Sequence, residues 1–121
     1  MRKVAIVDDN KLYRNLQQDE LAQSFEVSTF TSCEEFFTNA TNHRYDLIIL
    51  DRHFDNCPED HEFHDAFKPE FLTKLQGTQS EGAKILLWTD DKPETDISAF
   101  GFNFFHSKQI IDLKKVEGYL K

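Results

Sequence analysis

DLIILD, residues 46–51, is a run of four apolar residues closed at each end by an aspartate. It has no period-2 alternation, so it reads as a strand over 46–50 buried on both faces, as in a parallel sheet covered by helices. Asp51 then falls at the strand's carboxyl end. Similar runs lie on either side. KVAIV (3–7) stops at Asp8-Asp9-Asn10, EVSTF (26–30) follows, and KILLW (84–88) stops at Thr89-Asp90-Asp91. FNFF (102–105) reads as a fifth strand.

The intervening segments read as helices. Residues 11–23 are charged and amide-rich, with Leu12 and Leu16 four apart as the apolar stripe. Thr31 or Ser32 caps a helix through SCEEFFTNA, whose early acids suit the helix dipole. Pro69 opens PEFLTKLQG and Gly77 ends it; Pro93 opens PETDISAF and Gly101 ends that. QIIDLKKVEGYL (109–120) is the last helix, weakened by Gly118. Five β-α repeats imply an α/β chain with a doubly wound parallel sheet between two helical layers.

Composition narrows the function. A length of 121 residues suits one domain, here 1–121. Fourteen basic against 22 acidic residues give a net charge of −8, which argues against direct nucleic-acid binding. No apolar run is long enough to span a bilayer, and MRKVAIVDD reads as a strand, not a signal peptide. Cys33 and Cys57 have no metal-type spacing and are expected as reduced thiols in a cytoplasm.

In such sheets, ligands bind beyond the carboxyl ends of the strands. Those ends carry Asp8 and Asp9, then Asp51, then Thr89, then His106-Ser107-Lys108. Singly each has an ordinary reading: a helix cap for Asp8 or Asp9, a turn hydroxyl for Thr89, a surface charge for Lys108. Together they converge. A like-charge pair at about 4 Å costs on the order of 4 kcal/mol at an effective dielectric near 20. A hard divalent cation relieves that repulsion, and Mg²⁺ suits carboxylate oxygens. An Asp nucleophile with a metal, a lysine and a hydroxyl is what phosphoryl transfer to a carboxylate needs.

These residues resemble a response-regulator receiver domain, the CheY-like module of two-component signalling and phosphorelays. The matching elements are VDD at 7–9, LIILD at 47–51, LLWTD at 86–90 and FFHSK at 104–108. The resemblance covers the whole chain and implies a flavodoxin-like fold with strand order 2-1-3-4-5. It implies that Asp51 is phosphorylated and that Mg²⁺ (or Mn²⁺) is held by Asp9 directly, by Asp8 mainly through water, by Asp51 and by the backbone carbonyl of His53. Thr89 would contact the phosphoryl group, Lys108 would pair with the acceptor, and Phe105 would be the aromatic switch. His53 and Asp91 would tune phosphoryl lifetime.

The implied partners are a histidine kinase or histidine phosphotransfer protein and a downstream target or output domain. Contact or dimerisation would use the last two helices and fifth strand, where Phe100 and Phe105 are candidates. Catalysis would extend at most to the domain's own phosphorylation and dephosphorylation. Three departures stand out: Gln109 where the family has Pro, Arg52 where it has an apolar residue, and a longer loop after the third strand. They support an alternative, a pseudo-receiver that binds partners without phosphorylation. A small Mg²⁺-dependent hydrolase is a further rival, but no second acid stands two residues after Asp51.

Residues 52–66 show no helix or strand period and read as a loop over the site. The tract holds His53, Cys57, His61 and His64 among several acids. A solvated loop is the ordinary reading; a zinc-type site or a pH-sensitive element is the sharper one. Arg52 would either support the phosphoryl group or face solvent.

Overall fold

The apolar runs at 3–7, 47–50 and 84–88 become strands because each is too short and too evenly apolar to stop anywhere but between two helical layers. The computed structural model describes residues 1–121. The strands are β1 (Lys3–Val7), β2 (Glu26–Phe30), β3 (Leu47–Asp51), β4 (Lys84–Trp88) and β5 (Phe104–His106). All pair in parallel, in the order β2-β1-β3-β4-β5. The helices are α1 (Lys11–Leu21), α2 (Cys33–Ala40), α3 (Pro69–Leu75) and α4 (Leu113–Tyr119), with a 3₁₀ turn at Ile97–Phe100. This is the flavodoxin-like order 2-1-3-4-5.

Strand alternation divides the interior. Ala5, Val7, Ile48, Leu50, Ile85 and Leu87 face one core, covered by α2 and α3. Val4, Ile6, Leu47, Ile49, Leu86 and Trp88 face the other, closed by Leu21 of α1 and Val116 of α4. Most of the phenylalanines lie in the first core. Phe36, Phe37, Phe63 and Phe71 form one aromatic cluster, with centroids 4.8 Å apart for Phe37 and Phe71. Each fully buried ring contributes roughly 1.5–3 kcal/mol.

Local signals explain the element ends. Asn10 Oδ1 accepts from the N–H groups of Leu12 and Tyr13 and starts α1. Ser32, and not Thr31, caps α2 by accepting from the Glu35 N–H. Gly101 sits at φ 87° after the 3₁₀ turn, and a Cβ there would lie 2.3 Å from Leu72 Cδ2. Only glycine fits both the backbone and the space.

Five expectations are corrected. The last helix, expected over 109–120, starts only at Leu113, because Asp112 caps it while Gln109 and Ile111 bond to Trp88 and Gln17 instead. The helix expected over 93–100 shrinks to the 3₁₀ turn, because Asp96 already caps Ser98 and Gly101 ends the segment. The fifth strand shifts to Phe104–His106, with Phe102 buried ahead of it. Leu12 and Leu16 are exposed, and α1 instead buries Gln17 and Leu21. A long-range pair of bonds decides this: Gln17 donates to the Ile111 carbonyl and accepts its N–H.

The last correction concerns 52–66, which is a loop with Asp55, Asn56, Glu59, Asp60, Glu62 and His64 exposed, yet is neither wholly solvated nor free of pairing. His53 and Asp65 form an antiparallel bridge. Phe54 N–H donates to the His64 carbonyl, and Ala66 N–H to the Arg52 carbonyl. Phe54 and Phe63 are fully buried in the larger core. The loop is therefore an excursion pinned at its base and plugged into the core by two rings.

Candidate functional site

Chain direction and parity assemble the site. Asp8, Asp51 and Trp88 have the same parity as the smaller core, so they project to one side of the sheet's carboxyl edge. Asp8 is fully buried, while Asp9 and Asp51 are partly exposed. Oxygens of Asp8, Asp9 and Asp51 all lie within 4.8 Å of one another. Lys108 ion-pairs with Asp8 Oδ2 and lies 3.3 Å from Asp51 Oδ1, with its side chain 11% exposed. Four of the five residues singled out at the strand ends thus meet at one edge, and the fifth, Thr89, is buried directly after β4.

The electrostatics follow from that crowding. Burial pushes the Asp51 carboxyl up to about 7, and the neighbouring Asp8 charge pushes the same way. Lys108 and the Arg52 N–H, 2.8 Å from Asp51 Oδ1, offset part of the rise. One lysine does not neutralise three carboxylates. All-oxygen donors, a buried acid and residual negative charge fit a hard divalent cation such as Mg²⁺.

The lysine loop is built without proline. All peptide bonds are trans. The Trp88 indole N–H donates to the Gln109 carbonyl at 2.9 Å. Lys108 N–H donates to Asp90 Oδ1 at 2.8 Å, and Gln17 holds Ile111 from the far side. The Lys108 ammonium lies 4.2 Å from the Trp88 ring and 4.9 Å from the Tyr13 ring.

Arg52 neither reaches the acceptor oxygens nor faces solvent. Its guanidinium bonds to Asp65 at 3.2 Å, to the Asp91 carbonyl at 2.9 Å and pairs with the Asp91 carboxylate at 3.3 Å. His53 Nε2 lies 2.6 Å from the same Asp91 carboxylate. Hydrogen bonding from His53, then the Arg52 charge, holds Asp91 below the usual carboxylate range. Asp91 N–H donates to Thr89 Oγ1 at 3.1 Å. Phe105 is partly buried against the larger core, with the Lys92 ammonium 5.2 Å from its ring.

The histidine tract does not gather into a second metal centre. His61 Nδ1 faces Glu34 Oε1 at 3.3 Å, whereas His64 Nδ1 meets Cys57 Sγ at 3.3 Å. Both cysteines are free thiols. Glu34 also accepts the N–H groups of Glu62 and Phe63, tying the loop to α2. The loop touches the carboxylate cluster through Asn56, whose backbone and side-chain N–H groups lie 3.4 Å from Asp9 Oδ2. Sequence reasoning missed Asn56, Tyr13, Trp88 and the two plugging rings. The only signal for the rings was Phe54 and Phe63 themselves, isolated apolar residues in an acidic tract.

No protein-family model matches the sequence, and no curated protein matches it. Solved structures do. The chemotaxis protein CheY4 of Vibrio cholerae is 25% identical, with a TM-score of 0.76 over 99% of this chain and 96% of that one. A CheY-like receiver domain protein of Methanospirillum hungatei is 20% identical, with a TM-score of 0.76 over 99% and 94%. A response regulator of Burkholderia pseudomallei, solved with a phosphorylated aspartic acid, a calcium ion and citrate, is 16% identical. It matches with a TM-score of 0.77 over 100% of this chain and 67% of that one. A five-stranded doubly wound sheet with acids at its carboxyl edge defines the class. Within it, the chain has the fold of CheY-like response-regulator receivers over nearly its whole length. No helix is long and apolar enough to cross a membrane.

Proposed function

We propose that this chain is a phospho-acceptor switch of a two-component or phosphorelay system, modified on Asp51. The observation that carries the reading is the Asp51 carboxylate, 3.3 Å from the Lys108 ammonium and clustered with Asp8 and Asp9. In the proposed step a carboxylate oxygen of Asp51 attacks phosphorus of a phosphohistidine donor. The P–N bond breaks, and its electron pair returns to the imidazole. Asp8, Asp9, Asp51 and the His53 carbonyl would hold Mg²⁺. The ion, when bound, supplies positive charge to the phosphoryl oxygens. Lys108 would take the charge of a remaining oxygen and Thr89 would donate its hydroxyl.

Thr89 drawn toward the phosphoryl group would pull on Asp91 through the N–H it accepts. Phe105 would then re-pack and alter the face of β5 and α4, where an output partner or a second copy would bind. A cytoplasmic site of action and a histidine kinase or phosphotransfer donor belong to the same reading, as does a single receiver domain over 1–121. The domain acts as a switch and turns over no separate substrate.

Incubation with acetyl phosphate and Mg²⁺, read by intact mass, tests this. The expected result is one phosphate-sized addition that is lost in Asp51→Asn. No addition in the wild type would favour the pseudo-receiver, which Arg52, Gln109 and the long loop otherwise support. In this reading His53 and Asp91, in contact at 2.6 Å, would tune the attack of water on the phosphoryl group. Adduct half-life is expected to change in His53→Ala or Asp91→Ala; an unchanged half-life in both removes that role.

A further inference from the structure

Lys108 occupies an unusual position for a surface-loop lysine. Its side chain is nearly buried, and its ammonium lies against two aromatic faces as well as two carboxylates. Tyr13 and Trp88 meet edge to face, with centroids 5.7 Å apart and planes at 88°. Their placement is built in from separate parts of the fold. Asn10 starts α1 directly after the acidic pair, which sets Tyr13 one turn in, above the end of β4. Trp88 is the last residue of β4, fully buried, in register with Asp51. Its N–H also fixes the Gln109 carbonyl, one residue beyond the lysine.

We infer that Tyr13 and Trp88 are positioning residues, an aromatic cradle that holds the Lys108 ammonium at the acceptor carboxylate. The inference rests on the phospho-acceptor reading for its consequence and on geometry for its existence. The physical reason is charge balance. An ammonium confined among carboxylates alone moves with whichever is more negative. Ring faces attract it without contributing net charge or competing for a cation. The cradle therefore keeps Lys108 beside Asp51 while the charge on Asp8 and Asp51 changes. The indole N–H does the backbone's share, by anchoring the Gln109 carbonyl in the second peptide after the lysine.

Tyr13 is only partly buried, so its variants separate positioning from folding. Tyr13→Leu removes one ring face, and Tyr13→Phe keeps it. At saturating Mg²⁺, the rate of phosphate addition from acetyl phosphate is expected to fall about 5-fold in Tyr13→Leu and to stay within about 2-fold in Tyr13→Phe. The Mg²⁺ midpoint, read from the fluorescence of Trp88, the single tryptophan, is expected to hold or tighten in Tyr13→Leu. A wandering lysine competes less for Asp8 and Asp51, whereas a damaged site would bind Mg²⁺ more weakly. Equal rate loss in both variants, or rate and Mg²⁺ affinity falling together in Tyr13→Leu, overturns the inference.

Proton NMR supplies an arm independent of phosphorylation. Lys108 Hε signals are expected upfield of free lysine through ring currents, and nearer to it in Tyr13→Leu. Unshifted Hε signals in the wild type overturn the cradle. Absence of phosphate addition in the wild type counts against the phospho-acceptor reading, and the NMR result still decides the cradle.

Discussion

At the residue scale, Asp51 carries a cost that its position explains. It is ionised with difficulty because it is mostly buried and shares the edge with Asp8. Its carboxyl rises from 3.8 to about 7 on folding, so between those values the folded state holds a proton that the unfolded state has lost. Stability is therefore lost as pH rises through that window. The ceiling of the effect is about 4 kcal/mol. Asp51→Asn is expected to raise Tm at pH 8 by several degrees and by much less at pH 5. Mg²⁺ is expected to raise Tm at pH 8 in the wild type more than in the variant. Thermal melts at the two pH values check both; an equal effect of the substitution at pH 5 and pH 8 contradicts the assignment. Asp51 itself was legible in the sequence, because a charge directly after an apolar strand can only sit at the strand's end. The rings against its partner Lys108, Tyr13 and Trp88, were not. Each reads alone as an ordinary core aromatic, and nothing local points it at a lysine.

At the element scale, the excursion over 52–66 holds the chief difference between expectation and structure. Its period-free, acidic pattern suggested solvent, yet two of its rings are as buried as any strand residue. The histidines and Cys57 suggested a zinc-type site, but the chain directs His61 to Glu34 and His64 to Cys57. Two separate devices hold the loop. Phe63 packs 5.6 Å from Phe37 and 5.7 Å from Phe71, and Arg52 ties Asp65 to the loop after β4. Phe63→Ala is expected to destabilise the protein by about 3–5 kcal/mol. Arg52→Ala is expected to cost less and to act locally. It should speed hydrogen exchange at the Phe54 and Ala66 amides, which close the base of the loop, while β1 and β3 amides keep their protection. Uniform loss of protection would show that the loop and sheet open as one unit. Capping was partly legible: Ser32 and Asn10 are residue types that start helices. The shortening of the 93–100 helix was not, because Asp96 and Gly101 compete with Pro93 for the same few residues and the sequence alone does not say which signals win.

At the scale of the whole molecule, the sheet brings the ends of distant segments to one edge, and Asp91 links that edge to the long loop. Thr89, Asp91, Arg52 and Asp65 form a continuous chain of bonds from the pocket to the loop base. With beryllofluoride and Mg²⁺ as a phosphoryl mimic, amide exchange is expected to change from Thr89 to Phe105 and at the loop base. The Phe36–Phe71 core should be unaffected. A change confined to the pocket would argue against transmission. The sequence by itself determined the β-α alternation and hence the parallel sheet, because uninterrupted apolar runs between amphipathic segments have few other places to go. It also determined that Asp8, Asp9, Asp51, Thr89 and Lys108 lie at strand ends, because period and punctuation are local. Only the tertiary structure decided which partners those groups meet: the aromatic cradle of Lys108, the clamp on Arg52 and the plugged loop. These join residues far apart in the chain through packing, and side-chain packing leaves no period in the sequence.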